Sequence, residues 1–222
     1  MLRFDLDLQD ALGRRLVPDA LIVQEDRNLV ISAPPVLDLD REDDLDSAYL
    51  AIVQHRPLPQ GRYLLLKPRD DTPYWTYQAV VHDLETRPTC SPGDVRRSVL
   101  AICNDAARRG LRTLAMEPVG VWRSHGLSLD EMVGALDTTF FELALDLPVP
   151  LRMVLLLPDL ESIEEVSLGI RSRILRKASR SFRTVEGDAA VVEVRRDPVR
   201  LHYRFVPGSL SGYVVTRVNR VA

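Results

Sequence analysis

Residues 111–136 read LRTLAMEPVGVWRSHGLSLDEMVGAL. The run Leu111 to Met116 is apolar enough for a buried strand, and Pro118 ends it. Gly120 and Gly126 bracket a short loop. Ser128, followed three residues later by Glu131, makes a capping box that opens a helix. The stripe Met132, Val133, Leu136, Phe140 and Leu143 carries that helix to about Leu145. Strand, loop and helix in this order are the repeating unit of parallel α/β proteins.

The same unit extends in both directions. Downstream, Leu151 to Leu157 (LRMVLLL) is a strand buried on both faces. Upstream, Ser91-Pro92 supplies an N-cap and a first-turn proline. Val95, Val99, Ile102, Cys103 and Ala106 form the stripe of the helix that follows, and Gly110 ends it. Cys103 on that stripe is expected to be an inert core thiol. Tyr63 to Leu66 and Tyr77 to Val81 are further apolar strands. Strand, helix, strand, helix, strand over residues 75–157 predicts an α/β sandwich with parallel central strands. Ligands of such folds sit beyond the carboxyl ends of the strands. Two loops fall there, 84–91 and 117–128.

The flanks differ in character. Leu2 to Leu8 alternates with period two, as in a half-buried strand. Ala20 to Val23 and Leu29 to Ile31 are short apolar runs around Gln24-Glu25-Asp26-Arg27-Asn28, which reads as a hairpin turn. Pro34-Pro35 interrupts regular structure, and the acidic run 38–46 leads into a helix expected over about 43–54. Beyond Asp159, Ile163, Val166, Ile170, Ile174, Ala178 and Phe182 step as an amphipathic helix. Three alternating segments, 189–194, 199–206 and 213–218, then predict an antiparallel meander. The expected division is a core domain over 1–160 and a basic helix-plus-meander extension over 161–222.

Charge and composition remove several function classes. The 222 residues carry a formal charge of −3, so the chain is not polybasic overall. The charge is segregated: residues 1–50 sum to −7 and residues 171–222 to +8. Only Lys67 and Lys177 are lysine, and the arginine excess fits a GC-rich coding sequence better than phosphate recognition. No apolar run is long enough to span a membrane. The beginning does not read as a signal peptide, and a cytoplasmic protein is expected. Two cysteines and four scattered histidines give neither a disulfide framework nor a metal site. No P-loop, dinucleotide fingerprint or nucleophile elbow is present.

Several stretches resemble the macro domain, the ADP-ribose-binding fold. Val80-Val81-His82 looks like that family's strand ending in Val/Ile-His. Leu114-Ala115-Met116-Glu117-Pro118 looks like its strand ending in proline. Gly120-Val121-Trp122 is similar to its glycine-aliphatic-aromatic turn, and Asp19 to Val23 to the strand before its first ligand loop. The resemblance covers roughly 140 residues and implies a three-layer α/β/α mixed sheet. It also implies that the backbone at 120–122 meets a distal phosphate while Trp122 shields a ribose. The chain departs from the family pattern at Gln24–Asn28, at Pro34-Pro35 and at Arg123, which stands where a glycine is expected.

The candidate ligand-binding residues are therefore Gly120, Val121, Trp122, Arg123, His125, Gly126 and Asn28. Arginine and histidine beside a tight turn at a helix entry suit an anion. The alternative is an exposed loop whose tryptophan covers the end of the sheet. His82-Asp83 could form an acid–base pair, although a structural histidine is favoured there. No catalytic residue, cofactor or metal is assigned. The leading expectation is a non-catalytic binding or adaptor module for an ADP-ribose-like anion. The alternatives are an ADP-ribosyl hydrolase or related phosphoesterase, and an interaction protein acting through residues 171–220. That extension could meet an acidic protein or a second copy of the chain, with nucleic acid less favoured.

Overall fold

Alternation in Leu2-Arg3-Phe4 decides which face of the first strand is buried. In a computed structural model Leu2 and Phe4 lie in the core, while Arg3 faces the other side. The structure describes residues 1–31, 56–70, 72–122, 125–146, 149–177, 180–183, 190–196, 199–205 and 213–218. Its first half holds β1 (Leu2–Leu8), β2 (Ala20–Asp26), β3 (Arg62–Leu66) and β4 (Trp75–His82). Next come α1 (Pro92–Arg108), β5 (Thr113–Met116), α2 (Leu129–Asp146), β6 (Leu151–Leu157) and α3 (Leu160–Lys177). The chain continues with β7 (Arg180–Arg183), β8 (Ala190–Arg196), β9 (Val199–Phe205) and β10 (Tyr213–Val218).

The ten strands among the described residues form one sheet in the order β3-β4-β2-β5-β6-β1-β10-β9-β8-β7. β4, β2, β5, β6 and β1 are parallel, and β3 closes one edge antiparallel to β4. At the other side β10 pairs antiparallel with β1, so the C-terminal meander continues the core sheet. This is the expected class, an α/β mixed sheet carrying a C-terminal helix and antiparallel extension. The helix expected over 43–54 lies outside the described residues.

Three expectations change. β2 runs on to Asp26, and residues 29–31 form no strand against it; β4 pairs along its whole length and β5 along Ala20 to Ile22. α3 ends at Lys177 rather than near Phe182, since residues 180–183 pair with β8 as β7. The extension thus contributes four strands, not three.

Both central helices start as their sequences dictate. Ser91 accepts from Asp94 N while the Asp94 carboxylate accepts from Ser91 N, completing a capping box on α1. Ser128 and Glu131 do the same ahead of α2. The α1 stripe of Val95, Val99, Ile102, Cys103 and Ala106 is fully buried. Against it and its counterparts on α2 and α3 pack Ile22, Ala79, Met116, Met153 and Leu155 from the sheet. The opposite face of the sheet holds a smaller cluster of Leu21, Ala115, Val154 and Leu156 under Ala11 and Leu16. Phe4 links core to extension, with ring centroids 4.9 Å from Phe140 and 5.5 Å from Tyr213.

Basic residues of α3 are largely engaged within the fold. Arg173 pairs with Asp130 at 2.6 Å, Lys177 pairs with Asp137, and Arg171 lies 4.9 Å over the Phe205 ring. Among the described residues no helix is long and apolar enough to cross a membrane.

Candidate functional site

Chain connections place the site. Leaving β2, the chain moves toward β3 and β4; leaving β5, it moves the other way, through α2 to β6. β2 and β5 are neighbours, so their carboxyl ends flank the point where the connections diverge. A crevice opens at such a switch point in α/β sheets, and ligands bind there.

The first wall is the turn after β2. Glu25 and Asp26 are fully buried, and their carboxylates are turned back on their own loop. Asp26 accepts from Asn28 N at 2.8 Å, Val30 N at 2.5 Å and Ile31 N at 3.3 Å. Glu25 accepts from Asp26 N and Ile31 N, both at 2.9 Å. Such convergent amides are what a turn offers to an anion, and here internal carboxylates take them. Clamped on both sides, Leu29 holds φ 58° with its side chain buried, a conformation that costs a leucine about 1 kcal/mol. Asn28 sits half-buried on this turn.

The second wall is the loop after β5. Gly120 has φ 87°, and a Cβ there would lie 2.6 Å from Val95 Cγ2. A Cβ on Gly126 would lie 2.4 Å from Trp122 N and 2.5 Å from Gly120 O. Only glycine fits either place. The loop closes through Gly126 N to Trp122 O and Leu127 N to Gly120 O, each at 2.8 Å. Val121 and Trp122 are half-buried, Gly126 is partly buried and His125 is exposed. Arg123 lies outside the described residues.

One side chain joins the walls. Gln24 Oε1 accepts from Gly120 N at 3.1 Å, and Gln24 Nε2 donates to Val121 O at 3.3 Å. This arrangement fixes the amide's orientation, and with it the tautomer of His82. His82 Nε2 lies 3.0 Å from the same Oε1 and must donate to it. Nδ1 then carries the lone pair and lies 3.1 Å from Thr89 Oγ1, whose hydroxyl also reaches His125 O at 3.1 Å, while Thr89 N donates to His125 O at 2.9 Å. Burial holds His82 neutral, pushing its pKa down to about 4 against the opposing pull of Asp26 and Asp94. The Trp122 ring lies 5.8 Å from the His82 ring at 54°.

His82 and Asp83 are not an acid–base pair. Asp83 is held by Arg27 at 2.8 Å, which lowers its pKa, and His82 is committed to Gln24 and Thr89. Burial pushes both thiols, Cys90 and Cys103, up to about 12, so neither is a ready nucleophile. Among the described residues no cluster could hold a metal ion. Sequence reasoning named the second loop but missed Gln24 and Thr89, which carry no motif. A depression of about 390 Å³ between α1 and α2 lies away from the crevice. Its arginines are already paired, Arg96 with Glu142 and Arg173 with Asp130.

No family model matches this sequence, and no curated protein matches it. Solved structures do. A variant of the Oceanobacillus iheyensis macrodomain with ADPR superposes with a TM-score of 0.57 at 10% identity, over 79% of this chain and 94% of that one. The fold is that of the macrodomains. The same Oceanobacillus macrodomain with ADP gives a TM-score of 0.53 at 11% identity, over 72% of this chain and 86% of its own. The macro domain of ganglioside induced differentiation associated protein 2 gives 0.52 at 13% identity, over 73% and 81%. At these identities the likeness concerns the fold. Within this macrodomain fold the first loop is filled by Asp26 and Glu25, and the second is tied down by Gln24.

Proposed function

We propose that this protein is a non-catalytic binding module of the macro type. Its ligand is nucleotide-like, of the ADP-ribose kind, and sits in the crevice between β2 and β5 against Asn28 and the Gly120–Gly126 loop. One observation carries the reading: at the switch point of the sheet, a glycine-pinned loop holds Trp122 as a half-buried ring beside the crevice. An aromatic face at a crevice suits a planar base or the apolar face of a sugar. Macrodomains of the same fold solved with ADPR and with ADP support the ligand class.

The amides of Asn28, Val30 and Ile31 serve Asp26 and Glu25, so the anionic part of the ligand falls to the second loop, with Arg123 as its cationic partner. The non-catalytic part of the reading rests on commitment: the His82 lone pair faces Thr89, and both thiols are buried and protonated.

Calorimetry with ADP-ribose, ADP and adenosine tests this reading. Saturable binding that Trp122→Ala and Arg123→Ala weaken is the expected result. No heat at millimolar ligand overturns the proposal. Release of ADP-ribose from an ADP-ribosylated protein overturns its non-catalytic part.

A further inference from the structure

Helix α3 carries two apolar stripes, and the fold uses one of them. Ile163, Val166, Ile170 and Ile174 are buried against the core. On the opposite side Leu168 and Leu175 stand in line at a spacing of seven, two helical turns apart, with Leu160 at the N-terminal edge. Those three leucines are 61%, 53% and 58% exposed. Among the described residues six large apolar side chains are more than half exposed, and half of them sit on this one helix face. Single exposed leucines are ordinary, whereas apolar residues repeated along one face mark a contact surface.

The charges on that face are divided in two. Glu161, Glu164 and Glu165 are exposed before Leu168, and Arg171 and Arg176 are exposed after it. Arg171 stacks over the Phe205 ring, and among the described residues no opposite charge pairs with any of the five. The helix macrodipole favours acids first and bases last, but it gives no reason for exposed leucines between them. Nucleic acid or an anionic lipid surface is repelled by the acidic half. A surface that is acidic at one end, apolar in the middle and basic at the other is complementary to itself when reversed.

We infer that the outer face of α3 binds the same face of a second copy of this chain, the two helices antiparallel about a two-fold axis at Leu168. The wheel positions then bring Leu168 against its counterpart. Glu164 of each copy lies on the same side of the contact as Arg171 of the other, and Glu165 on the side of Ser172 and Arg176. A parallel pair would set glutamates on glutamates and arginines on arginines, so charge selects the antiparallel, isologous contact, which closes at two copies. One helix face is a small interface, and the dimer belongs to the weak, concentration-dependent class. This contact does not depend on what the crevice binds.

Sedimentation velocity on the full chain, over a roughly hundredfold range of concentration, tests the inference. The wild type is expected to pass from monomer to dimer. Leu168→Glu, a substitution at an exposed position, sets two like charges on the axis and is expected to remain monomeric with an unchanged circular dichroism spectrum. An all-basic face (Glu164→Arg with Glu165→Arg) and an all-acidic face (Arg171→Glu with Arg176→Glu) each repel themselves and are expected to be monomeric alone. Mixed in equal amounts they are expected to form a heterodimer, because each reversed half then meets its opposite; this rescue also shows that both variants are folded. A wild type that stays monomeric leaves the face to a different protein and overturns the inference. So does a Leu168→Glu variant that dimerises as the wild type does, or a mixture of the two charge variants, both folded, that stays monomeric.

Discussion

Gln24 Oε1 accepts the N–H of Gly120 at 3.1 Å, across 96 positions of sequence, and so ties the ends of β2 and β5 together. The same amide also engages Val121 O and His82 Nε2. Removing it leaves three polar groups at the crevice without their partner. Each such group costs about 1–3 kcal/mol when buried and unsatisfied, but water reaches the half-buried loop. Gln24→Ala is therefore expected to lose about 2–3 kcal/mol in urea unfolding, with altered Trp122 fluorescence. A loss under about 0.5 kcal/mol would show that the stitch contributes little.

His82 gives the fold an acid-side weakness. Its pKa in the native state, about 4, lies below the ordinary 6.5. Above pH 6.5 the imidazole is neutral whether folded or unfolded, and stability is unaffected by it. As pH falls from 6.5 toward 4, the unfolded chain binds a proton that the native state refuses. At 1.36 kcal/mol per pH unit, stability drops by about 3 kcal/mol across that window. His82→Gln should flatten the difference profile there; an identical slope in wild type and variant contradicts the assignment.

Two glycines of the second loop differ in what they tolerate. Gly120→Ala adds a Cβ at φ 87°, 2.6 Å from a valine methyl that can shift. Strain plus overpacking predicts a loss of about 2–4 kcal/mol. Gly126→Ala meets backbone atoms at 2.4 and 2.5 Å, which cannot give way without opening the loop. Its clearest signature is loss of ligand binding with an altered tryptophan spectrum. Wild-type affinity in Gly126→Ala would argue that the 120–126 loop is not a binding wall.

Asp26 supplies acceptors to three amides of the first loop. Asp26→Asn keeps one carbonyl oxygen and adds two donors that face N–H groups. Charge-assisted hydrogen bonds are worth about 1.5–3 kcal/mol, and a destabilisation in that range is expected at neutral pH. Chemical denaturation measures it directly, and an unchanged midpoint would mean that the turn holds without the carboxylate.

Phe4 packs between Phe140 of α2 and Tyr213 of β10, so its truncation reaches both the core and the extension. Phe4→Ala should cost about 3–5 kcal/mol, as large-to-small changes in a packed core do. Proteolysis of the variant is expected to begin in the meander. Cleavage spread evenly along the chain would indicate that β10 does not depend on this contact.

Local pattern was enough for the elements whose signals are local. Ser91-Pro92 and Ser128 with Glu131 announce two helix starts, and both caps form as written. The stripes of α1 and α2 and the apolar runs of β4, β5 and β6 identify core faces, because burial repeats with the period of the element. Gly120 and Gly126 mark a constrained loop, since glycine is the residue that tolerates positive φ or close backbone approach.

Residue pattern alone leads to an α/β chain with a glycine-pinned loop after one of its strands and a basic C-terminal extension. Long-range pairing set the rest: β2 pairs on both edges and runs to Asp26, the extension joins β1 through β10, and the chain diverges between β2 and β5. It also decided that Gln24, His82 and Thr89 form one network. Strand order and hydrogen-bond partnership depend on groups tens of residues apart. No periodicity or spacing encodes which of them will meet, because that depends on how the whole sheet closes.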